Sequence, residues 1–258
     1  MPYLSKIALN PGRRGGLALL SNPHRLHAAV LNGLAEQPVR ERVLWRVESD
    51  TPHRTDVLVL TESRPSWHRL VEDAGWPGAD GGDPLIADYT PLLERLVTGR
   101  EFAFRLTANP VHSVQRPERP SAEQTQRMKA DTDAPERRRG FRVAHRTAAQ
   151  QLDWLLGRAE RNGFTIPLTE TAPGIDLGTS TPTSEAPAVS LVARDILRFR
   201  KHRNGPHVTI SSATFQGRLR VTDANALREA LLSGIGPAKG YGQGLLTLAP
   251  LPGEAARG

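Results

Sequence analysis

One succession of segments occurs twice in this chain, and it constrains the fold more than any other feature of the sequence. Residues 3–9 read as a short strand carrying Leu4, Ile7 and Leu9. A helix follows from Asn22, a good N-cap, with Pro23 at its first position and Leu26, Ala29, Val30 and Leu34 at helical spacing. Residues 43–48 and 55–61 read as strands and 67–72 as a short helix. In 102–106, Phe102, Phe104 and Leu106 alternate with Ala103 and Arg105, which predicts another strand. The second half runs through a short strand at Phe141 and Val143, then a helix over 147–162 stopped by Gly163. A strand at 189–192 follows, then paired strands over 208–215 and 219–221, a helix over 224–232 capped by Asp223, and a last strand over 245–248. Strand, helix, strand, strand, helix, strand is the ferredoxin-like order. The expectation is an α+β chain of two tandem ferredoxin-like (RRM-like) domains, each an antiparallel sheet with helices on one face. Residues 1–115 would form the first and 139–258 the second. Residues 116–138, rich in Pro, Arg, Glu and Gln, would be a linker or mobile loop. Residues 10–16 and 170–187 read as loops.

The 258 residues carry a formal net charge of +7, with a pI near 10.5. That balance favours a polyanionic partner, nucleic acid first. Only Lys6, Lys129, Lys201 and Lys239 are lysines, and a GC-rich genome would also yield such an arginine bias. There is no cysteine, which excludes disulfides and thiolate metal sites. No apolar run approaches the roughly 18–20 residues of a membrane span, and the first residues lack the pattern of a signal peptide. The expected location is cytoplasmic, away from any membrane.

His24 and His27 lie three residues apart in the first turns of the predicted helix, hence on one face. A helix N-terminus attracts phosphate, and an imidazole there titrates near neutral pH. It can take the proton of an RNA 2′-OH or donate one to a leaving 5′-oxygen. Two half-exposed surface histidines are the competing reading. A zinc pair lacks a third ligand, so no metal and no cofactor are expected. The stretch 234–244 holds glycines 234, 236, 240, 242 and 244 with Lys239 among them. It is not a P-loop, which would end in Gly-Lys-Ser/Thr. It follows a helix and precedes a strand, so it is not a dinucleotide fingerprint. A loop that tracks phosphates fits it, and so does a permissive connection. Arg194, Arg198, Arg200, Lys201, His202 and Arg203 precede Asn204-Gly205, a turn signal, and would form a basic hairpin tip or a solvated basic turn. Arg13 and Arg14 lie in a basic loop. The segment Arg137-Arg138-Arg139-Gly140-Phe141 begins like an RNA-stacking motif, but Arg142, Ala144 and His145 break it.

These pieces together resemble one family, the CasE endoribonucleases of type I-E Cascade, which process CRISPR RNA. The resemblance rests on residues 3–11, on Asn22-Pro23-His24-Arg25-Leu26-His27, on residues 215–221 and on the glycine-rich stretch continued through Leu245-Leu246. It implies two ferredoxin-like domains, His27 as the catalytic histidine, and cleavage within a CRISPR repeat hairpin without metal. The product would keep a 2′,3′-cyclic phosphate and a 5′-OH and stay bound, and the partners would be that RNA and other Cascade subunits. Some relatives have tyrosine three residues before the histidine. Here that position is His24, a second proton donor or a phosphate contact. RNA contacts are expected at Arg13, Arg14, Arg194, Arg198, Arg200, Lys201, Arg203, Gly236, Lys239, Gly240, Gly242 and Gly244. The alternative is a non-catalytic RNA-binding subunit of the same kind of complex, and a third reading is a metal-dependent hydrolase using His24 and His27.

Overall fold

The structure, a computed structural model, describes residues 1–115, 125, 140–171, 184–202, 205 and 207–251. The expected linker at 116–138 falls outside the described residues except for Thr125. The expected loop at 170–187 is described only at its two ends, and these are paired strand and not loop.

The first half builds β1 (Tyr3–Leu9), α1 (Arg14–Leu20), α2 (Pro23–Leu31), β2 (Leu44–Thr51), β3 (Arg54–Thr61), α3 (His68–Ala74), β4 (Leu85–Asp88) and α4 (Thr90–Glu94). Its antiparallel sheet has the order β2-β3-β1-β4. The second half opens with β5 (Glu101–Ala108), followed by β6 (Val111–Val114), β7 (Phe141–Ala144) and α5 (Ala148–Ala159). Then come β8 (Phe164–Thr165), β9 (Leu168–Thr171), β10 (Ser184–Pro187), β11 (Val189–Arg200), β12 (His207–Val221), α6 (Ala224–Ser233) and β13 (Leu246–Ala249). Its antiparallel sheet has the order β11-β12-β5-β13, with β8 pairing the end of β12. Counted from the first strand of each unit, both sheets have the order 2-3-1-4. The ferredoxin-like plan is present twice.

Four expectations are corrected. Residues 101–108 do not close the first sheet. They sit between β12 and β13 at the centre of the second, so the units divide before residue 101 and not at 115. The first sheet is closed by β4, short and mostly exposed, whose sequence shows no alternation. Phe141 and Val143 pair with β6 in a separate two-stranded ribbon rather than opening the second sheet. The paired strands expected over 208–221 are one strand that passes through Gly217. A Cβ at Gly217 would lie 2.2 Å from the carbonyl oxygen of Ala188, so that backbone approach requires glycine. The basic loop expected at 10–16 is shorter too, because α1 begins at Arg14.

Alternation along the strands explains how the units join. Ile7, Leu9, Trp45, Val57 and Val59 face α1–α3 and form one core with Leu26, Val30, Trp67 and Leu70. Leu44 and Leu60 point the other way and enter the core of the second unit with Phe104, Leu106, Trp154, Phe215 and Leu246. The first sheet is therefore covered on both faces. Arg46, 2% exposed, shares the second face. Its guanidinium donates to the carbonyls of Arg105 (3.0 Å) and Leu245 (3.1 Å), to Thr247 Oγ1 (2.9 Å) and, through Nε, to Glu48 (3.0 Å). One side chain of β2 thus ties together β5, the segment before β13 and β13 itself.

Candidate active site

The helix α2 begins as its sequence dictates. Pro23 occupies the first turn, and Asn22 Oδ1 accepts from the amides of His24 (3.0 Å) and Arg25 (3.4 Å). The cap takes up two amides that an anion would otherwise use, so this helix end offers side chains and its partial charge. Asn22 Nδ2 also donates to the carbonyl of Arg200 at the end of β11 (3.2 Å), which docks the helix start on the tip of the β11–β12 hairpin.

His27 is half-buried at the junction of the two units. Its Nδ1 accepts from Trp45 Nε1 on β2 (3.3 Å). Its Nε2 faces the glycine-rich loop, where a Cβ at Gly240 would stand 3.3 Å away. Burial, and after it the nearby His24, hold the His27 imidazole below the ordinary histidine range. His24 meets His202 of the hairpin tip edge to face, with ring centroids 6.1 Å apart. In the loop, Lys239–Tyr241 form a 3-10 turn flanked by Ala238 and Gly242, both left-handed at φ 67° and 76°. Tyr241 packs on Phe199 of β11 (4.9 Å), with the Lys201 ammonium 5.9 Å from the ring centre.

A cleft of about 610 Å³ opens beside this junction. Its lining includes Arg42, His112, Arg142, Arg158, Gly236, Lys239 and Gly240. Burial, then the charge of Arg42, pushes the Lys239 ammonium down from its usual range. Among the described residues that line the cleft there is no carboxylate. A second depression, along β11 and β12, gathers Arg142, His145, Arg146, Arg194 and Arg198.

Most of the predicted site residues converge, and some do not. His24, His27, Arg200, Lys201, Lys239 and Gly240 come together where α2, the hairpin tip and the loop meet. Arg194 and Arg198 lie in the adjacent depression, with Arg194 Nε bound to Gln151 Oε1 (2.9 Å). Arg203 is outside the described residues. Arg13 is spent on structure: it donates to the carbonyls of Glu72 (2.8 Å) and Gly75 (3.1 Å) at the end of α3. Arg14 is exposed at the start of α1. Gly242 and Gly244 are buried, so neither presents a surface to a ligand. A Cβ on Gly242 would stand 2.7 Å from Trp45 Cζ3, which makes that glycine a packing requirement. Sequence reasoning missed Arg42, Arg142, Arg158, His112 and His145. They are scattered singly through polar segments, and only β6–β7 pairing and the loop bring them together. Among the described residues no three His, Asp or Glu side chains gather as a metal site, and no helix is long and apolar enough to cross a membrane.

Two ferredoxin-like units that meet at a histidine beside a cationic cleft define a tandem ferredoxin-like protein with a face for a polyanion. The chain belongs to the CRISPR associated protein family, whose model matches residues 2–250, and within it to the CasE group. It is 28% identical over 255 residues to the CRISPR-associated endoribonuclease Cse3 of Thermus thermophilus, covering 96% of this chain and 100% of that one. It is 28% identical over 216 residues to the CRISPR system Cascade subunit CasE of Escherichia coli, covering 81% and 89%. Among solved structures it resembles Thermus thermophilus Cse3 bound to an RNA representing a pre-cleavage complex. There the TM-score is 0.68 and the identity 28%, over 96% of this chain and 99% of that one.

Proposed function

We propose that this chain is an endoribonuclease that cuts CRISPR precursor RNA within the repeat hairpin and keeps the product as a Cascade subunit. It would act in the cytoplasm and without a metal ion. The observation that carries the reading is His27, whose Nε2 faces the glycine-rich loop beside a cleft lined by cations. The cleft draws the RNA backbone, and the junction sets one phosphate against His27. In the reaction the 2′-oxygen bonds to phosphorus as its proton leaves, and the bond from phosphorus to the 5′-oxygen breaks as that oxygen gains a proton. A 2′,3′-cyclic phosphate and a 5′-OH result. His27 is the group at the reacting phosphate. His24 is the second proton-handling group or a phosphate contact, with Lys201 and Lys239 on neighbouring phosphates.

End-labelled repeat RNA incubated with the protein in excess EDTA is expected to be cut once, leaving a cyclic phosphate that acid treatment opens. Intact RNA with a gel shift would favour a binding subunit instead. Cutting that needs added divalent metal would sink the reading.

Gly240→Ala offers a local check. Its methyl group would stand 3.3 Å from His27 Nε2, and Gly240 is not among the left-handed glycines, so the backbone tolerates the change. Single-turnover cleavage should fall about tenfold or more, because misplacement near the reacting atoms is costly, while hairpin affinity changes little. A rate equal to wild type would mean that the phosphate does not approach along this edge.

A further inference from the structure

We infer that Trp45 is a positioning residue: its indole N–H fixes which ring nitrogen of His27 carries the proton and presents the ring to the phosphate as an Nε2–H donor. The inference rests on the function proposed above for His27.

An indole nitrogen is a donor only. Trp45 Nε1 reaches Nδ1 of His27 at 3.3 Å, so that nitrogen must offer its lone pair. In a neutral imidazole the single proton then sits on Nε2. Nε2 is the atom that faces Gly240, and no described residue hydrogen-bonds to it. Its proton is therefore aimed at whatever enters between α2 and the loop.

The indole is held in place. Trp45 is 2% exposed within the first core, and its ring closes against Gly242, where a Cβ would stand 2.7 Å from Cζ3. The other tryptophans do nothing comparable. Trp154 Nε1 donates to the Val111 carbonyl, and Trp67 and Trp76 bury theirs without a partner. Only the Trp45 N–H is spent on a titratable side chain.

The contact also bears on protonation. An imidazolium carries hydrogen on both nitrogens, so charging His27 would set its Nδ1–H against the indole N–H. His24 on the same helix opposes that charge as well. The elements packed on α2 carry Arg14 in α1, Lys239 and Tyr241 in the 3-10 turn, and Arg194, Asp195, Arg198 and Arg200 in β11, with His202 just past its end; the carboxylate among them, Asp195, lies five residues back along β11 from the Arg200 carbonyl that meets the helix start. In the RNA-free protein the contact favours the neutral ring with its proton on Nε2, the nitrogen turned toward the loop.

The test uses the full chain with imidazole-¹⁵N histidine and two changes at position 45. Trp45→Phe removes the N–H. Trp45→3-benzothienylalanine replaces it with sulfur and keeps the bicyclic shape, which covers the case in which phenylalanine leaves the core underpacked. Long-range ¹H–¹⁵N spectra of the RNA-free wild type at alkaline pH are expected to show His27 with its proton on Nε2. Both variants should show a mixture of tautomers. Single-turnover cleavage should fall about tenfold in both, with the half-saturating protein concentration unchanged. A wild-type proton on Nδ1, an unchanged tautomer in the variants, or cleavage equal to wild type would each overturn the inference. A His27→Ala protein that cuts normally would overturn the proposed function instead, and the spectra read the Trp45 contact independently of cutting.

Discussion

Replacing His27 with alanine is expected to lower the single-turnover rate of repeat cleavage by at least about 10²-fold, the lower end of what a positioned acid–base group contributes. Hairpin affinity should stay within a few fold. The two effects separate because the cleft that holds the backbone is lined by other residues, Arg42, Arg142, Arg158 and Lys239 among them. Removing an imidazole that is half-buried and, among the described residues, hydrogen-bonded only to Trp45 leaves the N-cap, the helix and the loop intact. Rapid-mixing cleavage with radiolabelled repeat, beside a filter-binding isotherm, measures both quantities. A variant that cuts as fast as wild type would remove His27 from the reaction. One that neither binds nor cuts would show that His27 organises the RNA surface rather than the chemistry.

Arg46→Leu is expected to destabilise the protein by about 3–5 kcal/mol, the usual consequence of breaking a buried ion pair from one side. The side chains of Arg46 and Glu48 are 3% and 18% exposed, so the carboxylate left behind has little access to water. The Arg105 and Leu245 carbonyls would lose a donor as well. In thermal unfolding this corresponds to a fall in Tm of roughly 10 °C for a chain of this size. Arg46→Lys should recover little, because an ammonium cannot match the planar fork that reaches several acceptors at once. A Tm within about 2 °C of wild type for Arg46→Leu would show that the joint between the sheets rests on apolar packing alone. Cleavage should fall along with stability, since His27 belongs to one unit and Gly240 to the other.

Much of this architecture was legible in the sequence. The Asn22-Pro23 cap, the apolar stripe of α2 and the alternation of β3 and β5 each follow from local chemistry. Assigning strands to sheets did not. β5 alternates as cleanly as any strand, yet alternation carries no information about the pairing partner. Leu85–Asp88 is too short and too exposed to announce itself, and the boundary was misplaced as a result. Nothing in the sequence shows that a second sheet covers the face of β2 that carries Arg46.

The site divides in the same way. His24 and His27 follow from their spacing and their place at a helix start. The glycine-rich stretch stands out by composition, yet its use is mixed: Gly240 faces His27, while Gly242 lets the backbone pass Trp45. The Trp45 contact joins residues 18 positions apart, on a strand and a helix, and only the packed core makes it visible.

The division of the site between the two units has a consequence for synthesis. His27 leaves the ribosome well before the loop it faces, which begins at Gly234 and is anchored from behind by Gly244 N–H on the Thr107 carbonyl and by β13 pairing with β5. A nascent chain stalled before that loop carries the histidine with nothing opposite it. The cleft closes only once the chain has been made through β13, so a product truncated before the loop cannot assemble it.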